Sequence, residues 1–396
     1  MNTLTAFYDL PKEWEVVRLL DITHIFDGTH QTPQYTHHGV VFFSVENIAN
    51  NKPNKFISQQ DYLIATSKNK PEYNDILLTR IGAIGISKVV SWTYPFSIYV
   101  TLAVIKQSKY FNSYYLHYFI QSSFFQKELK DNSLLQAIPC KINMDKLKKC
   151  KVILPPLNEQ NAIANILSGL DRYLYALDAL ILKKEGVKKA LSFELLSQRK
   201  RLKGFNQAWQ RVRLGDIGKP CMCKRVMKHQ TTRYGEIPFY KIGTFGNTAD
   251  AFISKKLFLE YKTKYSFPKK GDILISASGT IGRAVIYDGK PAYFQDSNIV
   301  WIDNDETLVK NDFLFYAYSN VKWNTEHTTI LRLYNDNFRN TLIPLPPLNE
   351  QIAIANILSA LDNEIASLKN KKRQFENIKK ALNHDLMSAK IRVLEK

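Results

Sequence analysis

The sequence predicts an α+β protein: two globular parts, joined and separated by two long repeated helices that form an antiparallel coiled coil, with pseudo-two-fold symmetry. Three observations predict it. Residues 154–171, LPPLNEQNAIANILSGLD, return as residues 345–362, LPPLNEQIAIANILSALD, and differ only at Asn161/Ile352 and Gly169/Ala360. Each copy opens an apolar pattern with a period near 3.5 residues. Each copy also follows a stretch rich in Tyr, Phe, Ile and Val in short runs. The repeat distance of 191 residues is too long for a solenoid and describes a duplicated half-protein.

The elements follow in order. Residues 1–153 form the first globular part, with short alternating runs such as Val40-Val41-Phe42-Phe43 punctuated by Gly, Asn and Asp, which read as strands and turns. Ser113 to Lys130 is its main helix candidate. Residues 154–203 are the first helical segment. Pro155-Pro156 suits a helix start, where no backbone donor is needed, and Glu159 sits near the positive end of the helix dipole. The seam runs Ile163, Leu167, Leu170, Leu174, Leu177, Ile181. A helix from about 157 to 198 would be ~60 Å long at 1.5 Å per residue. Residues 204–344 repeat the globular texture, with Ile273-Leu274-Ile275 as a strand and Asp312 to Val321 as the helix counterpart. Residues 345–396 repeat the helical segment with the seam Ile354, Leu358, Leu361, Ile365, Leu368, resuming at Phe375, Leu382 and Leu386. Leu167, Leu170, Leu174, Leu177, Leu358, Leu361, Ile365 and Leu368 are therefore expected in the coiled coil, each helix with its own duplicate. The competing expectation is a plain amphipathic helix lying on its own domain.

The globular parts share a skeleton. Trp14 with Val17-Arg18-Leu19 answers Trp209 with Val212-Arg213-Leu214, and Asp75-Ile76-Leu77 with Gly82 and Gly85 answers Asp272-Ile273-Leu274 with Gly279 and Gly282. The rest diverges, which suits one framework carrying two different surfaces.

Charge points to the partner. Fifty-five Lys and Arg against 36 Asp and Glu give +19, distributed as +5, +4, +7 and +3 over the four segments. A basic body without a basic tail is expected to meet a polyanion, nucleic acid first. No basic region followed by an apolar core opens the chain, and no apolar run approaches the ~20 residues of a membrane span. Four cysteines, Cys140, Cys150, Cys221 and Cys223, suit a reducing cytoplasm.

Catalytic signatures are missing: there is no N/D-P-P-Y/F methyltransferase motif, no GxGxxG cofactor loop and no P-loop, so no cofactor is expected. Two patterns remain to be weighed. Asp250 with Glu260 and Lys262 has the spacing of a Mg²⁺-dependent nuclease. Cys221, Cys223 and His229 are half of a zinc site without a fourth ligand, so no metal is expected.

The two LPPLNEQ helix starts, the opening Leu10-Pro11-Lys12-Glu13-Trp14-Glu15-Val16-Val17-Arg18-Leu19 and the paired NDIL/GDIL strands resemble the specificity (S) subunit of type I restriction-modification enzymes, over essentially the whole chain. The resemblance implies that residues 1–153 and 204–344 are target recognition domains, each reading one half of a bipartite double-stranded DNA site. It implies that residues 154–203 and 345–396 hold them apart and dock two methyltransferase (modification) subunits, which restriction (translocase-nuclease) subunits join. It also implies a recognition subunit without catalysis; the alternative is a DNA-acting enzyme, either the nuclease above or a solitary methyltransferase. Basic residues among turns are the DNA-contact candidates: Lys52, Lys55, Lys68, Lys70, Arg80 and Lys88 in the first half, and Lys224, Arg225, Lys228, Arg233, Lys241, Arg283 and Arg332 in the second. Arg80 and Arg283 lie beside the shared glycine turn.

Overall fold

The structure is a computed structural model. It describes residues 10–50, 53–324, 326–327 and 331–393. The chain divides into two units, Met1–Asp178 with Asn370–Lys396, and Ala179–Lys369. Each unit holds one globular part, part of the helix that follows it and part of the other helix.

In the first unit the strand Glu15–Arg18 pairs antiparallel with Lys151–Leu154, with Glu15 opposite Leu154. The second of these strands runs directly into the helix Leu157–Leu196. The second unit repeats this closure: Gln210–Arg213 pairs with Leu342–Leu345, which leads into Leu348–Met387. Both helices are 40 residues long. Each ends at the same point of the repeat, two residues before a residue with left-handed backbone, Gln198 (φ 61°) and Ala389 (φ 56°).

A four-stranded antiparallel sheet centres each unit. Its order is Ile25–Asp27, Leu102–Ile105, Ile76–Thr79, Ser87–Val89 in the first, and Gly218–Met222, Ile299–Asn304, Ile273–Ser276, Ala284–Ile286 in the second. The strand Ile76–Thr79 is buried throughout, so its two faces meet different layers. Ile76 and Leu78 join the core formed with the helices and with Ile163 and Leu167, while Leu77 joins Phe43, Phe96 and Val104 beneath a second sheet, also four-stranded. This follows from the alternation of side chains along a strand. In the second unit Ile273 and Ile275 face the helical side, and Leu274 faces Phe239, Tyr293 and Trp301. The second sheet, four-stranded in the first unit and three-stranded in the second, contains one parallel pair in each, Val40–Phe43 with Phe96–Ile98 and Ile237–Tyr240 with Tyr293–Phe294.

The expected helix Ser113 to Lys130 is two helices, Ser113–Ile120 and Ser123–Asp131. Ser122 breaks it by accepting the amide of Phe125 as a helix cap. Its counterpart is Asn311–Ala317 followed by a 3-10 turn, Tyr318–Asn320.

Candidate nucleic-acid interface

The repeated motif is internal. Glu159 and Glu350 are 2% and 1% exposed. The Trp14 indole donates to Glu159 Oε2 (3.1 Å), and Arg392 holds the same carboxylate through Nε (2.7 Å) and Nη2 (3.0 Å). In the second unit the Trp209 indole (2.9 Å) and Arg201 Nε (3.1 Å) and Nη2 (2.6 Å) hold Glu350 in the same way. The glutamines repeat the pattern. Gln160 donates to Pro155 O (2.8 Å) and accepts the Asn112 amide (2.9 Å); Gln351 donates to Pro346 O (2.8 Å) and accepts the Lys310 amide (2.9 Å). A two-point Arg–carboxylate contact fixes geometry as well as distance. Each motif thus binds the start of a helix to its own globular part and to the segment that follows the other helix.

Within each unit the helices run antiparallel. Asp171 accepts from Tyr118 Oη (2.7 Å) and Lys379 Nζ (2.5 Å) in the first, and Asp362 from Tyr316 Oη (2.8 Å) and Lys188 Nζ (2.5 Å) in the second. Leu177 and Ile365 are buried, and Leu170, Leu174, Leu361 and Leu368 are half-buried. Leu167 and Leu358 depart from a pure coiled-coil seam. Each joins the core of its own globular part together with the end of the other helix, Leu386 and Met387 in one unit, Leu195 and Leu196 in the other. Both sequence expectations for these helices therefore hold at different turns.

The shared glycine turn has the same hydrogen bonds twice. Gly85 N donates to Thr79 O and Ile86 N to Thr79 Oγ1; Gly282 N donates to Ser276 O and Arg283 N to Ser276 Oγ. All four glycines have φ between 66° and 93°, where a side chain strains the backbone. A Cβ on Gly85 would lie 2.6 Å from Gln126, and one on Gly282 2.1 Å from Trp323.

Arg80 departs from expectation. It is buried at 7% exposure, and donates to Asp27 (3.2 Å), Val100 O (2.7 Å) and Ile142 O (3.3 Å). Burial lowers its pKa and the Asp27 carboxylate opposes that shift. Its position in the repeat is Ala277, and Arg283 takes the place of Ile86. Arg283 is exposed and bonds Phe245 O (3.0 Å). Arg332 is half-buried and bonds Asn298 Oδ1 (3.2 Å). Lys55 pairs with Glu46 (3.0 Å), Arg225 with Asp296 (2.8 Å) and Lys241 with Asp250 (2.8 Å). Lys88 stands over the Trp92 ring and Lys224 over that of Tyr265. Lys68, Lys70, Lys228 and Arg233 are exposed, and Lys52 lies outside the described residues.

The nuclease-like pattern does not assemble around a shared point: Asp250 pairs with Lys241, Glu260 with Lys264 (3.1 Å), and Lys262 covers Phe258 and Phe267. Burial pushes the Cys223 thiol up to about 12. Among the described residues no group of three or more His, Cys, Asp or Glu could hold a metal ion, and no helix is long and apolar enough to cross a membrane.

A family model described as the type I restriction modification DNA specificity domain matches residues 11–184 and again 206–377. The chain belongs to this family. S.HindORF215P of Haemophilus influenzae, provisionally named a type I restriction enzyme specificity subunit, is 48% identical over 232 residues, covering 56% of this chain and 58% of that protein. The MjaVIII specificity subunit of Methanocaldococcus jannaschii is 26% identical over 97% of this chain and 94% of its own length. The S subunit of a type I restriction-modification system from M. genitalium shares the fold, with TM-score 0.62, 16% identity and 96% of both chains covered. Specificity-domain membership, matched twice along the chain, accords with a duplicated framework whose two surfaces differ.

One signal escaped the sequence reading. Phe56-Ile57-Ser58 recurs as Phe252-Ile253-Ser254, and both serines cap the helix that follows, accepting the amides of Asp61 and Leu257.

Proposed function

We propose that this chain is the DNA-recognition subunit of a type I restriction-modification complex. Residues 1–153 and 204–344 each read one half of a bipartite duplex target. The helical segments 154–203 and 345–396 set their separation and dock two methyltransferase subunits, to which restriction subunits add. The observation that carries this reading is the twice-built clamp: one framework, held by the same Glu, Gln, Trp and Asp contacts, bears two different basic surfaces. Identical frameworks with divergent exteriors suit two different half-sites.

Docking of two like subunits draws on a second feature. Leu157, Asn158 and Asn165 recur as Leu348, Asn349 and Asn356, and all six are exposed. The internal contacts that account for Glu159 and Gln160 do not account for these. Positions 157, 158 and 165 fall within an arc of about 100° at 3.6 residues per turn, which also holds Asn161, exposed and replaced by the exposed Ile352 in the second copy. A strip that repeats at three of four exposed positions suits like partners.

Methylome sequencing of cells with and without this gene tests the reading. The expected result is loss of one bipartite adenine-methylation motif on deletion, with restoration on complementation. An unchanged methylome, with active methyltransferase subunits present, would sink it.

A further inference from the structure

Two stretches without an assigned role occupy the same place in the two units. In the first, Leu134 pairs with Lys141 to make a hairpin, with Leu134 N donating to Lys141 O at 2.7 Å. Lys141 lies opposite Ile81 at the glycine turn. The hairpin base is fastened by Gly82 N to Cys140 O (2.8 Å), Cys140 Sγ to Gly82 O (2.8 Å) and Ile142 N to Arg80 O (2.9 Å). The buried Arg80 guanidinium adds a bond to Ile142 O. In the second, Glu326 pairs with Arg332, Arg332 lies opposite Ser278, and Leu333 N donates to Ala277 O (2.8 Å). Lys141 and Arg332 are thus equivalent basic residues at the foot of equivalent hairpins.

The first hairpin carries Leu134 and Leu135, each 51% exposed, and Ile138, wholly exposed. Its base is anchored to the core, so the apolar tip is presented on a fixed arm. Folding gives no reason for three apolar side chains there, and an exposed apolar cluster marks a contact surface. Between residues 127 and 151 seven lysines face only three acidic residues, so the surroundings suit a polyanion.

The geometry points to this hairpin, residues 134–141, as a base-reading arm for duplex DNA. Leu135 and Ile138 pack against thymine methyl groups or an opened base step, and Lys141 meets the adjacent phosphate. The inference rests on the function proposed above. A DNA occupant is favoured over a partner subunit by a contrast within the chain. The exposed strip at the helix start repeats at three of its four positions, Asn161/Ile352 being the exception, which favours like partners. The sequences of the equivalent stretches differ, LLQAIPCK at 134–141 and EHTTILR at 326–332, as unlike half-sites require.

The test uses the complex of this chain with its methyltransferase subunits, wild type and Leu135→Ser/Ile138→Ser. Each selects from a library of duplexes randomised at both half-sites, and melting temperature is recorded. The expected result is that discrimination at one or two positions of a single half-site falls at least tenfold, the other half-site is unchanged and melting is unchanged. Full discrimination at both half-sites at unchanged affinity overturns the inference and leaves the parent reading intact. A uniform loss of affinity with discrimination intact also overturns it, since the arm would then touch backbone alone. A wild-type complex that selects no bipartite site overturns both. As a second variant, Lys141→Gln is expected to weaken binding to all sequences alike; no effect on affinity would remove the phosphate contact from the proposal.

Discussion

At the residue scale the duplicated glutamates are the decisive side chains. Glu350 is buried with its carboxylate held by Arg201 and Trp209. Removing one partner of a buried ion pair costs about 3–5 kcal/mol, reduced here because Arg201 is 28% exposed. Glu350→Ala is therefore expected to lower unfolding free energy by about 2–3 kcal/mol, followed by the fluorescence of nearby Trp209. Asn349→Ala, on the exposed face, should change it by less than about 0.5 kcal/mol. A loss below about 1 kcal/mol for Glu350→Ala would show that the clamp contributes little. His117 offers a pH test. Burial, chiefly, and the Lys379 charge lower its pKa to about 4, with Asp171 opposing. The folded state holds the ring neutral, so this contribution is complete above the unfolded value near 6.5 and is lost as pH falls toward 4. Tyr118 and Tyr316 make matching bonds, which places Phe315 where the first unit has His117. His117→Phe should accordingly lose less stability than wild type between pH 6.5 and 4, by up to about 3 kcal/mol at about 1.4 kcal/mol per pH unit. Parallel melting-temperature profiles over that range would refute it.

At the element scale the long helices do two things. Their first turns complete the globular cores through Ile163, Leu167, Ile354 and Leu358, and their later turns pair through carboxylate–Lys bridges such as Lys372 with Asp178 (2.6 Å) and Lys369 with Glu185 (2.6 Å). Exposed bridges contribute little each, so the apolar seam carries the pairing and the charges select its register. Inserting four residues after Leu177 advances the helix end by ~6 Å and turns it by ~40°. If the helices set the separation of the recognition parts, this variant keeps both half-site sequences but changes the preferred spacer or loses binding. Selection from DNA sites of every spacer length checks it. An unchanged spacer at unchanged affinity would mean that the helices serve only to dock subunits.

At the scale of the whole molecule the net charge of +19 is spread over both halves. Several of its cations are already engaged: Arg80 is buried, and Lys55, Arg225 and Lys241 pair with carboxylates. Surface pairs of this kind are weak and exchange readily for phosphate. Binding of the assembled complex to DNA should therefore weaken steeply with salt, with a log–log slope of ~0.9 per neutralised phosphate. A nearly flat dependence would count against a phosphate-contacting surface in both halves.

The duplication, the two long helices and the glycine turns were legible in the residues as repeated, periodic or local signals, and the antiparallel pairing followed from the two-fold relation that the duplication implies. A stripe at 3.5-residue spacing reports which face of a helix is apolar, and Asp75-Ile76-Leu77 before two glycines reports a strand and its turn. What covers an apolar face is a different matter. Glu159 meets Trp14 from 145 residues away and Arg392 from 233. From sequence it read only as a favourable helix-start carboxylate. Arg80 read as a surface cation beside a turn; folding closed Asp27, Val100 and Ile142 around it. The hairpin at 134–141 carried no period to read, and its exposed tip exists only because its base is fastened to a turn some sixty residues earlier. Periodicity and turn chemistry act between near neighbours along the chain, whereas burial, charge pairing and the face offered to DNA depend on which distant segments meet.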